Sequence, residues 1–214
     1  LTGERRALPE FTHLPDGRTR VPLRFAPEQS FFVMFRDHGG KRSGGRNFPT
    51  LRPLLQLSGP WEVAFDPKWG GPEKITFDRL EDWTLRPEPG IKYYSGRAVY
   101  RKHFDLASDV ARTGRRLLLD LGTVRNLAQV RLNGCDLGVV WCAPRQVDIS
   151  TAVKSGANEL EITVANLWPN RLIGDQGLPA EQRRTWTTLN PFKPDTTLLE
   201  SGLLGPVTLQ LEIE

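Results

Sequence analysis

The sequence is poor in the residue types on which metal and redox sites depend. Its 214 residues include two cysteines and three histidines, and His13, His38 and His103 each stand alone. None of their spacings matches a zinc site, and the chain contains neither a nucleophile elbow nor a phosphate-binding glycine loop. The sequence therefore lacks the motifs of a zinc site, of a hydrolase with a nucleophile elbow and of a phosphate-binding loop.

Long apolar runs are also missing. No stretch approaches the roughly 20 apolar residues that cross a bilayer, so no membrane span is expected. The chain does not open with a charged segment followed by an apolar one, and it begins with Leu1 rather than methionine. We therefore expect a fragment or a processed product, and the sequence does not indicate its cellular compartment.

The two cysteines, Cys135 and Cys142, flank the segment DLGVVW. If that segment is a strand, its rise of about 3.3 Å per residue separates them by more than roughly 20 Å and puts them on opposite faces. A disulfide requires Cα atoms within about 7 Å of each other. We therefore predict two free, buried thiols.

The net charge of +4 is unevenly distributed along the chain. Residues 1–52 hold ten Lys and Arg against five Asp and Glu, whereas residues 53–214 hold nineteen against twenty. A nucleic-acid-binding surface needs basic residues clustered on one face, and the body of this protein is electrostatically balanced. Nucleic acid is therefore not expected as a partner.

From Leu57 onward, apolar residues alternate with polar ones in short runs separated by turn residues, which is the pattern of half-buried strands. Asn133-Gly134 predicts a tight hairpin, because both residues suit positive φ. The best helix candidates, residues 106–113 and 179–184, are one or two turns each. We predict an all-β fold, either an antiparallel β-sandwich or a barrel, and favour the sandwich because each strand buries one face. The predicted strands cover residues 59–65, 97–104, 117–121, 128–132, 136–141, 147–149, 160–164 and 207–213.

Residues 1–52 are rich in Pro, Gly and Arg, and we assign them to an N-terminal extension or the end of a preceding domain. The sandwich is expected to cover residues 53–214. Within the extension, residues 30–35 (SFFVMF) are predicted to form a strand that pairs with residues 21–25 (VPLRF) through the turn APEQ. Two strands are marginal alone, so this hairpin is expected to lean on another element.

The segment 166–205 is too long for a simple connection, and such loops in compact domains are usually functional or disordered. Its aromatic residues, which include Phe192, favour function. Its first part, NLWPNRLIGD at 166–175, combines an aromatic ring with amide, guanidinium and carboxylate groups, and these are the groups that recognise sugars. We predict a ligand-facing loop whose contacts come from Asn166, Trp168, Asn170, Arg171, Asp175 and Trp186.

A structural role for the same residues fits the pattern equally well. Trp168 would then cap the sandwich core, and Arg171 and Asp175 would form an ion pair that fixes the loop. The two roles do not exclude each other.

A catalytic role would need two carboxylates roughly 5 to 10 Å apart across a sugar. Glu81 with Asp82, and Asp175 with Glu181, are candidates for such a pair. Neither spacing is diagnostic in a chain with 25 acidic residues, so an autonomous glycosidase is the less favoured alternative.

Four segments follow one another in an informative order: SGRAVYRKHFDL (95–106), LLLDLGTVRNLAQVRLNGCDLGVVWCAPRQVDIS (117–150), GANELEITVANLWPNRLIGD (156–175) and SGLLGPVTLQ (201–210). Together they resemble the sugar-binding domain of family 2 glycoside hydrolases. They look closest to the version at the C-terminal end of large alpha-L-rhamnosidase-type enzymes of family 106. The segment VPLRFAPEQSFFVMFR also resembles the one that usually precedes this domain, so the resemblance covers residues 20–214.

The resemblance implies a jelly-roll sandwich of the galactose-binding-like fold, non-catalytic by itself, beside a separate (β/α)8 barrel that carries the catalytic carboxylates. It implies a carbohydrate ligand, the barrel of the parent chain as partner, and a periplasmic or secreted location. A family 2 loop at the position of NLWPNRLIGD reaches toward the sugar pocket, and Asn170 and Asp175 inherit that role. Calcium is common in such sandwiches, but the sequence has no clear acidic cluster to hold it, so no cofactor is predicted.

Three functions are therefore weighed for the chain, of which the autonomous glycosidase is the least favoured. The favoured one is a non-catalytic carbohydrate-binding or scaffolding module of a glycoside hydrolase. The alternative is a purely structural interaction module that packs against the barrel and exposes an apolar patch of several hundred Å² when isolated.

Overall fold

The structure, a computed structural model, describes residues 5–25, 27, 29–35, 45–111 and 114–213. Its strands are β1 (Thr12–His13), β2 (Thr19–Arg20), β3 (Thr50–Gln56), β4 (Trp61–Phe65), β5 (Ile75–Phe77), β6 (Arg97–Leu106), β7 (Leu117–Asp120), β8 (Thr123–Arg125), β9 (Leu127–Leu132), β10 (Cys135–Val140), β11 (Gln146–Asp148), β12 (Gly156–Ala165), β13 (Gly202–Gly205) and β14 (Thr208–Ile213). The α-helices are α1 (Pro89–Lys92), α2 (Ser108–Ala111) and α3 (Pro169–Gln176), and 3-10 turns occur at Pro67–Trp69, Trp83–Leu85 and Ala180–Gln182.

Two antiparallel sheets enclose one hydrophobic core. The larger has the strand order β10-β9-β12-β6-β4-β5, and the smaller has the order β11-β7-β14-β3. Two short pairs, β1-β2 and β13-β8, complete the described strands, and none of these closes a sheet into a barrel. The predicted all-β antiparallel sandwich is thus confirmed, and each of the eight predicted strands from residue 59 onward has its counterpart.

Side chains along the central strands alternate between the inner and outer face of each sheet, and the inner ones form the core. In the larger sheet Ile162 of β12 lies between Tyr100 of β6 and Val130 of β9, and all three side chains are fully buried. In the smaller sheet Leu209 of β14 pairs with Leu119 of β7, and both are also buried. Because each such side chain contributes about 1.5 to 3 kcal/mol when it leaves water, the two inner faces hold the sheets together.

Aromatic rings fill one end of this core. Phe65 packs edge to face on Tyr94, with 4.9 Å between ring centroids, and on Trp83, with 5.2 Å. The Trp83 indole N–H donates to the Tyr100 hydroxyl at 2.5 Å, which satisfies a buried donor. This end of the core supports the segment that follows β12.

The Asn133-Gly134 hairpin is confirmed. Asn133 and Gly134 have φ values of 52° and 82°, and they join β9 to β10. The Asn133 side chain also donates to the Ala152 carbonyl at 2.8 Å and accepts from the Glu159 amide at 3.0 Å. The residue that permits the turn therefore also ties it to the neighbouring chain.

The prediction for the cysteines is correct for their pairing and wrong for their burial. Cys135 and Cys142 are both free thiols, but Cys135 is exposed and Cys142 is half-buried. The reason is that Cys135 begins β10 at the edge of its sheet, where a strand has only one neighbour, and Cys142 lies beyond the end of that strand.

The predicted hairpin of residues 21–25 and 30–35 is wrong. The structure assigns no strand to the described residues from 21 to 35, and the pair in this region is β1-β2. Phe31 contacts Phe25 and Phe48, with 5.1 and 6.1 Å between ring centroids, but Phe32 and Phe35 are 92% and 78% exposed, so little of the segment is packed. Residues 26, 28 and 36–44, with part of the predicted turn and the loop after it, lie outside the described residues.

The expectation of a loop directly after β12 is also wrong, because α3 occupies residues 169–176. Pro169 stands at the first helical position, where its missing N–H costs no hydrogen bond. Leu172 and Ile173 are 4% and 3% exposed, which gives the helix a buried apolar face. Of the two predicted helices, residues 106–113 contain α2 and residues 179–184 contain a 3-10 turn.

No helix in the described ranges is long and apolar enough to cross a membrane.

Candidate functional site

Helix α3 is held tightly against the body of the sandwich. A Cβ atom at Gly174 would lie 2.6 to 2.9 Å from side-chain atoms of Tyr93, so only glycine permits this approach. At the start of the helix, Trp168 is the N-cap residue, and its side chain is 59% exposed. The helix therefore presents an indole to solvent from a rigid base.

Asn166 and Asn170 point into the protein and meet at Ser201. Both amide groups donate to the Ser201 hydroxyl, at 3.0 and 3.1 Å. Asn170 also donates to the Leu199 carbonyl at 2.7 Å and accepts from the Leu199 amide at 2.8 Å. This pair of bonds clamps the backbone before β13 to the first turn of α3.

Asn166 makes a similar bridge on its other side. Its carbonyl oxygen accepts from the Gly96 amide at 3.0 Å, and its amide group donates to the Tyr94 carbonyl at 2.9 Å. The chain that enters α3 is thus tied both to the segment before β6 and to the segment before β13.

Arg171 and Asp175 form the ion pair that the sequence left open as a structural role. Arg171 Nη2 and Asp175 Oδ1 are 2.8 Å apart, and the side chains are 6% and 4% exposed. Oδ1 and Arg171 Nε nevertheless lack a well-directed hydrogen bond within the described part of the chain, so the link is mainly a contact of opposite charges.

The other oxygen of Asp175 fixes the chain beyond α3. Oδ2 accepts from the Arg184 amide at 3.0 Å, from the Thr185 amide at 2.9 Å and from the Thr185 hydroxyl at 2.6 Å. Asp175 therefore organises the segment that leads to Trp186, whose side chain is 83% exposed.

An open cleft of about 400 Å³ lies beside the start of α3. Three parts of the chain form it: the end of β8 with the next residue, the residue before Trp168, and the segment before β13. The lining residues are Arg125, Asn126, Leu167, Leu198, Leu199, Glu200 and Ser201. Its size falls within the range of about 300 to 1,000 Å³ that is usual for small-molecule pockets.

The strand pair β8-β13 positions the polar residues of this cleft. Arg125 pairs with Gly202 in the register, so the guanidinium reaches Glu200 at the mouth of the cleft. Arg125 Nε and Nη2 donate to Glu200 Oε2 at 3.0 and 2.8 Å. A Cβ atom at Gly202 would lie 2.4 Å from Trp83 Nε1, which explains the glycine after Ser201.

Sequence reasoning missed the cleft residues Arg125, Asn126 and Glu200. The segment SGLLGPV that follows Glu200 was part of the resemblance, and this is the signal that could have led to them. The structure brings Asn166 and Asn170 together at the back of this cleft and places Arg171 and Asp175 inside the protein. Contact of the six predicted residues with a ligand remains a prediction.

The carboxylates weighed as an acid and base pair at residues 81 and 82 have structural partners. Glu81 Oε1 lies 2.9 Å from Arg86 Nη1, and Arg86 also contacts Glu88 at 2.6 Å. The hydrogen bond from Arg86 holds the pKa of Glu88 below its usual value. Asp82 accepts from the Thr84 amide at 3.0 Å and from the Ser201 amide at 2.9 Å, so it helps to hold the back of the cleft.

No group of three His, Cys, Asp or Glu side chains suited to a metal ion occurs among the residues that the structure describes.

Comparison with known proteins places this architecture among carbohydrate-active enzymes. A rhamnosidase from Novosphingobium sp. PP1Y superposes with a TM-score of 0.86 and 42% sequence identity, over 94% of this chain and 19% of the rhamnosidase. A protein of Formosa agariphila named "Putative beta-glucuronidase" is 38% identical over an alignment of 183 residues, and the match covers 75% of this chain and 16% of that protein. No protein-family profile matches the chain.

These similarities confirm the resemblance to part of a large glycoside hydrolase that the sequence motifs indicated. Both similar proteins carry glycoside hydrolase names, and the chain spans less than a fifth of the length of either.

Proposed function

We propose that this chain is a non-catalytic β-sandwich domain of a glycoside hydrolase of the alpha-L-rhamnosidase type, with a carbohydrate-facing surface at the start of α3. The similarity to the Novosphingobium rhamnosidase carries the proposal, because it extends over 94% of this chain at 42% identity but over only 19% of that enzyme. A domain of this size then works beside a catalytic barrel supplied by the rest of the parent protein.

Three of the four carboxylates weighed as catalytic groups, all except the exposed Glu181, are engaged within the domain, and this supports a non-catalytic role. Glu81, Asp82 and Asp175 each bind a guanidinium or backbone amides of the domain itself. A catalytic carboxylate must instead reach the sugar. The test is an assay of the purified chain with aryl rhamnosides, galactosides and glucuronides. Turnover that disappears in Asp175→Asn while the circular dichroism spectrum stays that of the folded protein would establish the rival proposal of an autonomous glycosidase.

We further propose a division of labour among the six predicted residues. Asn166, Asn170, Arg171 and Asp175 position the surface, because they are mostly buried and bonded within the domain. Trp168 and Trp186 are exposed, and an exposed indole can stack on the apolar face of a sugar. The division of the chain into an extension, residues 1–52, and the sandwich, residues 53–214, is also proposed, although β3 crosses that boundary.

Calorimetry and tryptophan fluorescence with a panel of rhamnosides and galactosides test the carbohydrate-binding part of this proposal. We expect Trp168→Ala to weaken binding, whereas Trp168→Phe, which keeps an aromatic ring at the same position, should retain part of the affinity. A folded protein that binds no glycan of the panel would refute the carbohydrate-binding role and leave scaffolding.

A purely structural module is the second candidate. Trp186 and Leu189 are 83% and 78% exposed on one segment, and apolar side chains of this kind commonly pack against a partner. In the full parent enzyme, Trp186→Ala would then reduce the thermal stability and yield of the assembled protein while KM for small substrates stays unchanged. A change in KM alone would favour sugar contact instead.

A further inference from the structure

The cleft beside α3 holds polar groups that the domain itself does not use. Arg125 engages one oxygen of Glu200, which is Oε2. Within the described ranges Oε1 of Glu200 has no hydrogen-bond partner, and neither has the side-chain amide of Asn126. A carboxylate oxygen and an amide at the mouth of one cleft are groups that can bind hydroxyls of a ligand.

The other wall of the cleft is apolar. Leu167 is 51% exposed and Leu199 is 46% exposed, and Leu198 lines the same space. Large aliphatic side chains left in contact with water gain free energy when an apolar surface covers them. The cleft thus suits a ligand with hydroxyls on one side and C–H groups on the other.

The charges of the cleft cancel. Arg125 and Glu200 carry opposite charges and contact each other directly, and among the residues that the structure describes no other charged side chain lines the cleft. An anionic ligand would have to displace Glu200 from Arg125 or lie close to the carboxylate, and both are unfavourable. A neutral ligand meets neither obstacle.

Hydrogen bonds hold both walls in place before any ligand arrives. Asn170 clamps Leu199 at 2.7 and 2.8 Å, and the Ser95 hydroxyl donates to the Leu167 carbonyl at 3.0 Å. The backbone N–H of Asn126 donates to the Ala165 carbonyl at 3.0 Å. A site built in this way loses little conformational entropy on binding.

We propose that this cleft is a subsite for a neutral pyranoside and selects against uronates. Glu200 and Asn126 bind its hydroxyls, Leu167 and Leu199 cover its apolar face, and Arg125 orients Glu200. This proposal rests on the carbohydrate-binding role proposed above, and it adds both the binding residues and the class of sugar.

Titration of the ¹⁵N-labelled chain, residues 1–214, followed by amide chemical shifts, tests the proposal. The probes are methyl α-L-rhamnopyranoside, methyl β-D-galactopyranoside and sodium D-glucuronate. We expect a neutral glycoside to shift the amide signals of Asn126, Leu199 and Glu200. Glucuronate should bind at least roughly fivefold more weakly, because it adds a charge beside a carboxylate.

Variants at Glu200, which is exposed, and at Asn126, which is half-buried, test the binding residues. Glu200→Ala and Asn126→Ala should each lower the affinity for the neutral glycoside, roughly tenfold in the case of Glu200. Glu200→Gln leaves Arg125 without a compensating charge, so the preference for the neutral sugar over glucuronate should shrink or reverse. Glu62→Gln is the matched control, since Glu62 lies on β4 and pairs with Lys74, and it should change nothing.

Three results would overturn the subsite alone and leave the carbohydrate-binding role standing. They are equal affinity for glucuronate in the wild-type chain, an effect of Glu200→Ala below twofold, and shifts confined to the surroundings of Trp168 and Trp186. The last result would keep the proposed carbohydrate-binding role and move its location. Absence of shifts with every glycoside would refute that role together with the subsite.

Discussion

Replacement of Asp175 by alanine tests the buried ion pair of α3. The change removes the charge that lies 2.8 Å from Arg171 Nη2 and the acceptor of three hydrogen bonds from Arg184 and Thr185. Arg171 then stays buried, with its side chain 6% exposed and no compensating charge. Loss of one partner of a buried pair costs about 3 to 5 kcal/mol, out of a total stability of about 5 to 15 kcal/mol for a domain.

Urea unfolding followed by far-UV circular dichroism and by tryptophan fluorescence measures this loss. We expect Asp175→Ala to lower the free energy of unfolding by about 3 kcal/mol or more. Asp16→Ala is the control, because its partner Arg18 is exposed, and the unfolding midpoint should not move. The double variant Arg171→Leu/Asp175→Ala should recover part of the loss, since it removes the stranded charge.

A loss below about 1 kcal/mol for Asp175→Ala would refute this reasoning, because it would mean that Arg171 reaches water or another partner when Asp175 is absent. A double variant no more stable than Asp175→Ala would show that the three hydrogen bonds, rather than the ion pair, carry the effect.

Three further predictions concern the core and the hairpin. Tyr100→Phe removes the acceptor of the Trp83 indole N–H at 2.5 Å and of the Leu203 amide at 3.2 Å, and it should cost about 2 kcal/mol in urea unfolding. Burial raises the pKa of Tyr100 above its usual value of 10.0, so its contribution to stability is complete below pH 10 and declines above it. The wild-type protein should therefore lose up to about 1.4 kcal/mol more per pH unit than Tyr100→Phe in this range, and parallel pH profiles would contradict the assignment. Asn133→Ala should cost about 1 to 3 kcal/mol, since it strains a positive φ and removes the donor to the carbonyl of buried Ala152, whereas Asn133→Gly should recover the part due to φ.

Much of the fold could be predicted because strand signals are local. Trp61, Val63 and Phe65 alternate with polar or small residues, and the structure buries all three on one face of β4. Asn133-Gly134 has a backbone preference that few other pairs share, so its turn follows from two residues. Such features need no knowledge of distant parts of the chain.

The errors arose where local patterns were weak or misleading. Residues 30–35 have the composition of a strand, but a strand also needs a neighbour with which to pair. Helix α3 was missed because Gly174 and the polar residues around it look like a loop. Its stability comes from contact with Tyr93 and from the buried pair of Arg171 and Asp175, which are tertiary interactions.

The sequence by itself determined that the chain forms an antiparallel sandwich, where its main hairpin turns, and which class of enzyme it resembles. Only the tertiary structure decided which polar residues after β12 face inward and which surface they support. Asn170 meets Leu199 across 29 positions and Arg125 meets Glu200 across 75. Burial and hydrogen bonding at such separations depend on how the sheets bring distant segments together, and no local pattern encodes that.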